Sequence, residues 1–218
     1  MNIKTKNSTP ILLTGAERSG VALIARIFSI VGVKTVEPVN NLLESKAIHD
    51  ILNGLISQYS KNTLYPQLNV IPINVENNFS FLRHYKSKLF LKSSLLTPTW
   101  KIWNQLYPSA QWVIVRRKTS DIINSCIKTG YMKLFKNKEN LERLNLKNEA
   151  EGWLWLVHQY EKDWVEMIQA GLDIKIVWPE RMVEGDYSQV NQMLNWLGLK
   201  WNLDIVNVID PLVRKGEK

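Results

Sequence analysis

Cysteine is all but absent from this chain. Cys126 is the single thiol in 218 residues, so no disulfide can form within the chain, and a lone thiol argues against a cysteine-based zinc site. Histidine is nearly as scarce, with three residues, and no His/Cys/Asp cluster stands out; no metal is expected. No run of about 18 apolar residues occurs, which argues against a membrane span. The start, Met1-Asn2-Ile3-Lys4-Thr5-Lys6, lacks the apolar core of about 7–15 residues that a secretory signal carries. A cytoplasmic protein is the expectation. Negative charge also runs short: 20 Asp and Glu against 28 Lys and Arg leave a formal charge of +8. That balance draws anions, whether nucleotides, sulfated or phosphorylated molecules, anionic lipid or nucleic acid.

What is present has ordinary globular proportions, 45% hydrophobic and 22% charged. The length suits one domain over residues 1–218. Nine tryptophans belong mostly in its core. Ile11-Leu12-Leu13 is a short apolar run ending at Thr14-Gly15, the pattern of a buried strand followed by a turn. Leu23, Ile24, Ile27, Phe28 and Val31 recur at helical spacing up to Gly32. A second helix is expected over Leu42–Ile56. Residues 59–87, with Pro66 and Pro72, read as a mostly irregular, substrate-side excursion. Leu89-Phe90-Leu91 reads as a second strand, Thr97-Pro98 as the start of a helix reaching Tyr107, and Trp112–Val115 as a third strand. A helix follows from Ser120-Asp121, and residues 130–147 read as a mobile, partly helical segment.

Trp153, Val157, Tyr160, Trp164 and Met167 mark a long amphipathic helix ending at Gly171. Asp173–Trp178 supplies a fourth strand and Tyr187–Leu197 a last helix. Short apolar strands alternating with helices predict an α/β fold: one domain with a P-loop-like central parallel sheet of four or five strands, flanked by helices.

Two segments carry chemistry. The first is Thr14-Gly15-Ala16-Glu17-Arg18-Ser19-Gly20, between a strand and a helix. Such a loop aims backbone N–H groups at one point, where the helix dipole adds positive potential for phosphate. Arg18 adds a forked cation. The loop departs from the nucleoside-triphosphate pattern, because Val21 and Ala22 stand where Lys and Ser/Thr are needed. A kinase is therefore disfavoured. The second segment is Val113–Asp121, continuing to Ser125. It sets Arg116 and Arg117 at the C-terminal end of a parallel strand, where open α/β sheets bind ligands. Arg117 and Ser125 in that arrangement suit a second phosphate.

The pairing of these segments resembles the sulfotransferases that use 3′-phosphoadenosine 5′-phosphosulfate (PAPS), especially bacterial and protein-modifying members. Their R-S-G-T-T or K-S-G-T-T loop is matched by Arg18, Ser19 and Gly20. Their R-x-P-x-D-x-x-x-S segment is matched by Arg117, Asp121 and Ser125. Lys92 resembles the lysine of the family's K-D-P or K-S-P strand end. Trp178-Pro179-Glu180-Arg181-Met182 and Trp196-Leu197-Gly198-Leu199 are similar to Y-E-D-L and F-L-G-L. Arg214-Lys215-Gly216 is similar to an R-K-G that closes on the 3′-phosphate.

The resemblance implies PAPS as co-substrate, held by Gly15, Ala16, Glu17, Arg18, Ser19, Gly20, Val21, Ala22, Arg117, Ser125, Arg214, Lys215 and Gly216. It implies sulfuryl transfer to a hydroxyl or amine of a carbohydrate, peptide or small molecule, with Arg18 and Lys92 balancing charge. Glu37 is the expected base, with Glu44 and His49 as rivals on the next helix. The loop is degenerate at Val21 and Ala22, where the family has hydroxyl residues, and Thr119 replaces a proline. A catalytically impaired nucleotide-binding relative is the alternative, with a small-molecule kinase ranked below it. A nucleic-acid module is a further rival, without any known motif in support.

Overall fold

Apolar runs that alternate with helical periodicity become a wound sheet. The computed structural model describes residues 9–37, 39–60, 64–68, 71–85 and 87–214, the last five of these as backbone only. In chain order the elements are β1 (Ile11–Gly15), α1 (Val21–Ile30), α2 (Lys46–Tyr59), α3 (Val75–Asn78), β2 (Phe90–Lys92) and α4 (Trp100–Leu106). They continue with β3 (Gln111–Val115), α5 (Thr119–Thr129), α6 (Lys138–Arg143), α7 (Glu149–Gln169), β4 (Asp173–Val177), α8 (Pro179–Val183), α9 (Ser188–Trp196) and α10 (Asp204–Arg214).

The four strands form one all-parallel sheet in the order β2-β1-β3-β4. Gly15 lies opposite Val115, and Val115 opposite Val177, so the C-terminal ends of β1, β3 and β4 are level. The chain leaves β1 toward β2 on one side and later extends from β3 toward β4 on the other. The order therefore reverses between β1 and β3, and a crevice opens there, the usual ligand position in such sheets.

Side-chain alternation divides the core. Leu12, Leu91, Trp112 and Ile114 face one layer, built from α2, α4, α5 and α7. Ile11, Leu13, Phe90, Val113 and Val115 face the other, built from α1, α9 and α10. Full burial of each such aliphatic side chain is worth about 1.5–3 kcal/mol, which locks the register of β1 and β3 and with it the loops that follow them.

Several expectations shift. The second helix begins at Lys46, later than Leu42, because Ser45 caps it by accepting from the Ile48 N–H. Thr97-Pro98 does not open a helix: a 3₁₀ turn over Ser94–Leu96 precedes it and α4 starts at Trp100. Residues 59–87 include α3 and a 3₁₀ turn over Ser80–His84, and Leu64, Tyr65, Leu68, Val75, Phe79 and Leu82 are all buried. Residues 130–147 include α6 and bury Phe135 against Trp153. A further helix, α10, lies beyond the last one expected.

Candidate functional site

β1 ends in Gly15, and there is no room for a larger residue. A Cβ at that position would lie 2.5 Å from the Val115 carbonyl oxygen and 2.6 Å from Ser19 Oγ. The loop thus closes tightly onto β3. It turns by placing Arg18 at φ 62° and Gly20 at φ 96°, left-handed values that cost a non-glycine residue backbone energy. Gly20 is the N-cap of α1 and offers no side-chain cap; the Leu23 N–H donates to the Gly20 carbonyl, so the donors this helix start can aim at a ligand are the N–H groups of Val21 and Ala22. Ser19 is buried and its hydroxyl has no partner among the described residues. Val21 packs with the apolar layer around α1, so its side chain offers the loop no donor.

The two arginines after β3 go separate ways. The Arg116 backbone N–H donates to the Val177 carbonyl, and its guanidinium binds the Glu161 carboxylate between the rings of Trp164 and Trp178, 5.5 and 5.1 Å from their centroids. It braces α7 against β4. Arg117 turns to the loop instead: Nη1 donates to the Arg18 carbonyl at 3.4 Å, and Nε lies 3.6 Å from Glu180. Arg18 reaches back and donates from Nε to Ser125 Oγ at 3.1 Å, across 107 residues of sequence. Pro179 at the first position of α8 delivers Glu180, which also accepts from the Lys118 N–H at 3.1 Å. A cavity of about 310 Å³ opens here, lined by Ser19, Gly20, Arg117, Lys118, Asp121, Pro179, Glu180, Val183 and Glu184.

On the other side of Arg18 lies a second group of charges. Tyr131 donates to Glu17 at 2.8 Å, and its ring centroid is 5.9 Å from the Arg18 guanidinium. Burial pushes the Tyr131 hydroxyl well above its ordinary range; the carboxylates of Glu17 and Glu44 add to this, and Arg18 opposes it. Lys92, at the end of β2, is almost fully buried and pairs with Glu44 at 2.9 Å. Glu44 is held by a small turn: Asn40 Oδ1 accepts from the Leu42 and Glu44 N–H groups, and Asn40 Nδ2 donates to Glu44. Cys126, next to Ser125, is fully buried, and burial pushes its thiol up to about 12, with Glu17 adding to the effect.

Gly15, Ala16, Glu17, Arg18, Ser19, Gly20, Val21, Ala22, Arg117 and Ser125 therefore meet at the crevice between β1 and β3. Lys92 and Glu44 meet each other at the end of β2. Glu44 precedes α2 rather than riding on it, while His49 lies on α2 and is exposed. Glu37 is exposed and has no partner among the described residues. Arg214 ends α10 as backbone only, and Lys215 and Gly216 lie outside the described residues. Among the described residues no group of three or more His, Cys, Asp or Glu is placed to hold a metal ion.

Three residues contribute here beyond those expected: Tyr131, Asn40 and Glu180. Tyr131 and the Asn40 turn carry no local motif. Glu180 stood in a recognised stretch, and its place just after Pro179 at a helix start was the available signal.

No family model matches the chain, and no curated protein matches it by sequence. Its fold does match a solved structure, the sulfotransferase STF9 from Mycobacterium avium, at a TM-score of 0.57 and 8% identity, over 97% of this chain and 69% of that one. The fold is sulfotransferase-like. The loop after β1 and the arginine after β3 lie where the strand order reverses, and Glu37 and Glu44 lie on the connection from β1 to β2. Among the described residues no helix is long and apolar enough to cross a membrane.

Proposed function

We propose that this chain is a sulfotransferase that binds 3′-phosphoadenosine 5′-phosphosulfate in the crevice between β1 and β3. The observation that carries the reading is the mutual clasp of the two phosphate-type segments, Arg18 on Ser125 and Arg117 on the Arg18 carbonyl. The residues suit a donor with two separate anionic ends. The uncapped start of α1 and the unpartnered Ser19 hydroxyl offer donors for the 5′ end, while Arg117 and Ser125 offer them for the 3′-phosphate. Bound there, the donor would supply a sulfuryl group, its sulfur leaving the phosphate oxygen as it joins an acceptor oxygen or nitrogen.

The chain's own groups then have distinct tasks. Arg18 and Lys92 balance charge on the departing phosphate oxygen. A carboxylate takes the acceptor's proton: Glu37 is the reading carried from the sequence, and Glu44 has the closer tie to Lys92. Arg214, Lys215 and Gly216 remain a proposed cover for the 3′-phosphate. The acceptor belongs to the carbohydrate, peptide or small-molecule classes.

Titration of the purified protein with adenosine 3′,5′-bisphosphate tests the reading, with 5′-AMP and ATP as controls and magnesium absent. Micromolar binding that requires the 3′-phosphate and is lost in Arg117→Ala is the expected result. Binding of ATP alone, or of none of the three, overturns it.

A further inference from the structure

The segment that follows α5 has a charge pattern that the donor reading does not use. Residues 128–147 contain six basic side chains and two acidic ones, so under a tenth of the chain carries half of its formal charge of +8. This segment is tied to the donor loop at one end and to the core in its middle. Tyr131 binds Glu17 and lies beside Arg18. Phe135 inserts against Gly152 of α7, where a Cβ would come within 2.3 Å of its ring, and packs edge-on to Trp153. Between those anchors Met132 and Lys133 both adopt left-handed backbone, at φ 52° and 51°. Two consecutive non-glycine residues in that conformation hold a shape the local sequence disfavours.

Three lysines lie on or beside this stretch: Lys128 at the end of α5, Lys133 within it and Lys136 just after Phe135. Lys128 follows Ser125 by three residues on α5, hence on the same helix face. Lys133 follows Tyr131 by two. Lys136 folds back so that its ammonium would lie 3.4 Å from a Cβ on Gly130. All three are exposed, and none is in an ion pair among the described residues. Glu17, the carboxylate of the loop after β1, accepts from Tyr131.

We propose that the acceptor is an anionic carbohydrate, an oligosaccharide bearing carboxylate or sulfate groups, steered and held by Lys128, Lys133 and Lys136 beside the donor loop. The inference rests on the sulfotransferase reading for the reaction, but the surface binds independently of it. Lysine, a hydrated point charge, suits anions spaced along a flexible sugar chain. Paired phosphate or nucleic-acid contacts draw arginine forks instead. Strand addition by a peptide needs a free sheet edge, whereas this rim is helix and turn, and on β2, the sheet edge on the donor-loop side, the Phe90 N–H is already taken by the Lys34 carbonyl.

The test is calorimetric titration of the full chain with a heparin-derived hexasaccharide at low and physiological salt, with maltohexaose, a poly-glutamate peptide and single-stranded DNA as comparators. The hexasaccharide is expected to bind best, with affinity falling as salt rises. Joint replacement of Lys128, Lys133 and Lys136 by Gln is expected to weaken it about tenfold or more, at the scale of three modest surface ion pairs. Replacing Lys34, Lys162 and Lys200, which are exposed and in no ion pair among the described residues, controls for net charge and should leave affinity within about twofold. Equal binding of maltohexaose, an unchanged affinity in the first triple variant, or equal losses in both triples overturns the proposal. So does tighter binding of the peptide or the DNA. A triple variant that loses thermal stability but keeps hexasaccharide affinity assigns the lysines to the C-terminal end of α5 instead, and also overturns it. Adenosine 3′,5′-bisphosphate titration of the same proteins separates the two readings: its failure in the wild type removes the donor assignment and leaves the carbohydrate result standing on its own.

Discussion

Arg117 owes its aim to a carboxylate 63 residues further along the chain. Glu180 holds Nε from the side and receives the Lys118 N–H, so the outer edge of the guanidinium remains for an anion. Removing that charge while keeping the shape should loosen the fork more than the pocket. Glu180→Gln is expected to weaken adenosine 3′,5′-bisphosphate about tenfold, a scale set by one charge-assisted contact, while 5′-AMP affinity stays within about twofold. Calorimetry on both ligands checks this, and an equal loss for both would mean a damaged pocket rather than a misaimed arginine. At this scale the sequence was only partly readable. That Arg18, Arg117 and Ser125 come together could be read from their types and spacing around strand ends. The different fate of neighbouring Arg116 could not, because Glu161, Trp164 and Trp178 reach it only through the packing of α7 and β4.

Among the elements, α1 has the most to reveal about turnover. Its first turn presents Val21 and Ala22, and Val21 is committed to the apolar layer. Changing both to Thr should add hydroxyl donors beside the Ser19 hydroxyl. The expected result is a gain of at least about tenfold in sulfuryl transfer, since a single donor in a charge-stabilising site is worth about 10²-fold or more; transfer of labelled sulfate from PAPS measures it. No gain would favour a chain that only binds. A second test concerns α7, whose Gly152 admits Phe135. Gly152→Ala forces the ring out and should cost about 1–3 kcal/mol, the usual range for overpacking. Urea unfolding measures it, and the displaced 130–147 segment should also lose its hold on Tyr131. The strands, α1 and α7 were legible because each buries a continuous stripe whose period survives in one sequence. The 3₁₀ turn over Ser94–Leu96 and the late start of α4 were not, since hydroxyls at Thr97 and Thr99 serve buried partners, Trp164 and Trp103, rather than a cap. α10 was hidden by Pro211, a residue that reads as a break.

For the molecule as a whole, the α/β class followed from the alternation of strands and helices, but the strand order could not be read, because it depends on which apolar faces meet after long crossovers. One such long-range join predicts a pH response. Asp163 of α7 is almost completely buried and accepts from Tyr65 and Gln67 at 2.7 Å each, tying residues 64–68 to the helix. Burial raises its pKa above 3.8, the two hydrogen bonds opposing the shift. The folded state thus holds that proton more tightly than the unfolded chain, so this group's contribution to stability is fullest below 3.8 and declines as pH rises through the folded value. Relative to wild type, Asp163→Asn is expected to flatten that part of the pH profile of urea midpoints; a parallel pair of profiles would refute it. The lone thiol offers a readout of a different kind. Cys126 is sealed in the core, and burial disfavours its thiolate. Alkylation of that one sulfur therefore has to wait for the molecule to open. The chain has an internal clock: its rate of modification, with and without nucleotide, should count how often the centre of the fold comes apart, and a ligand that clasps β1 to β3 should slow it.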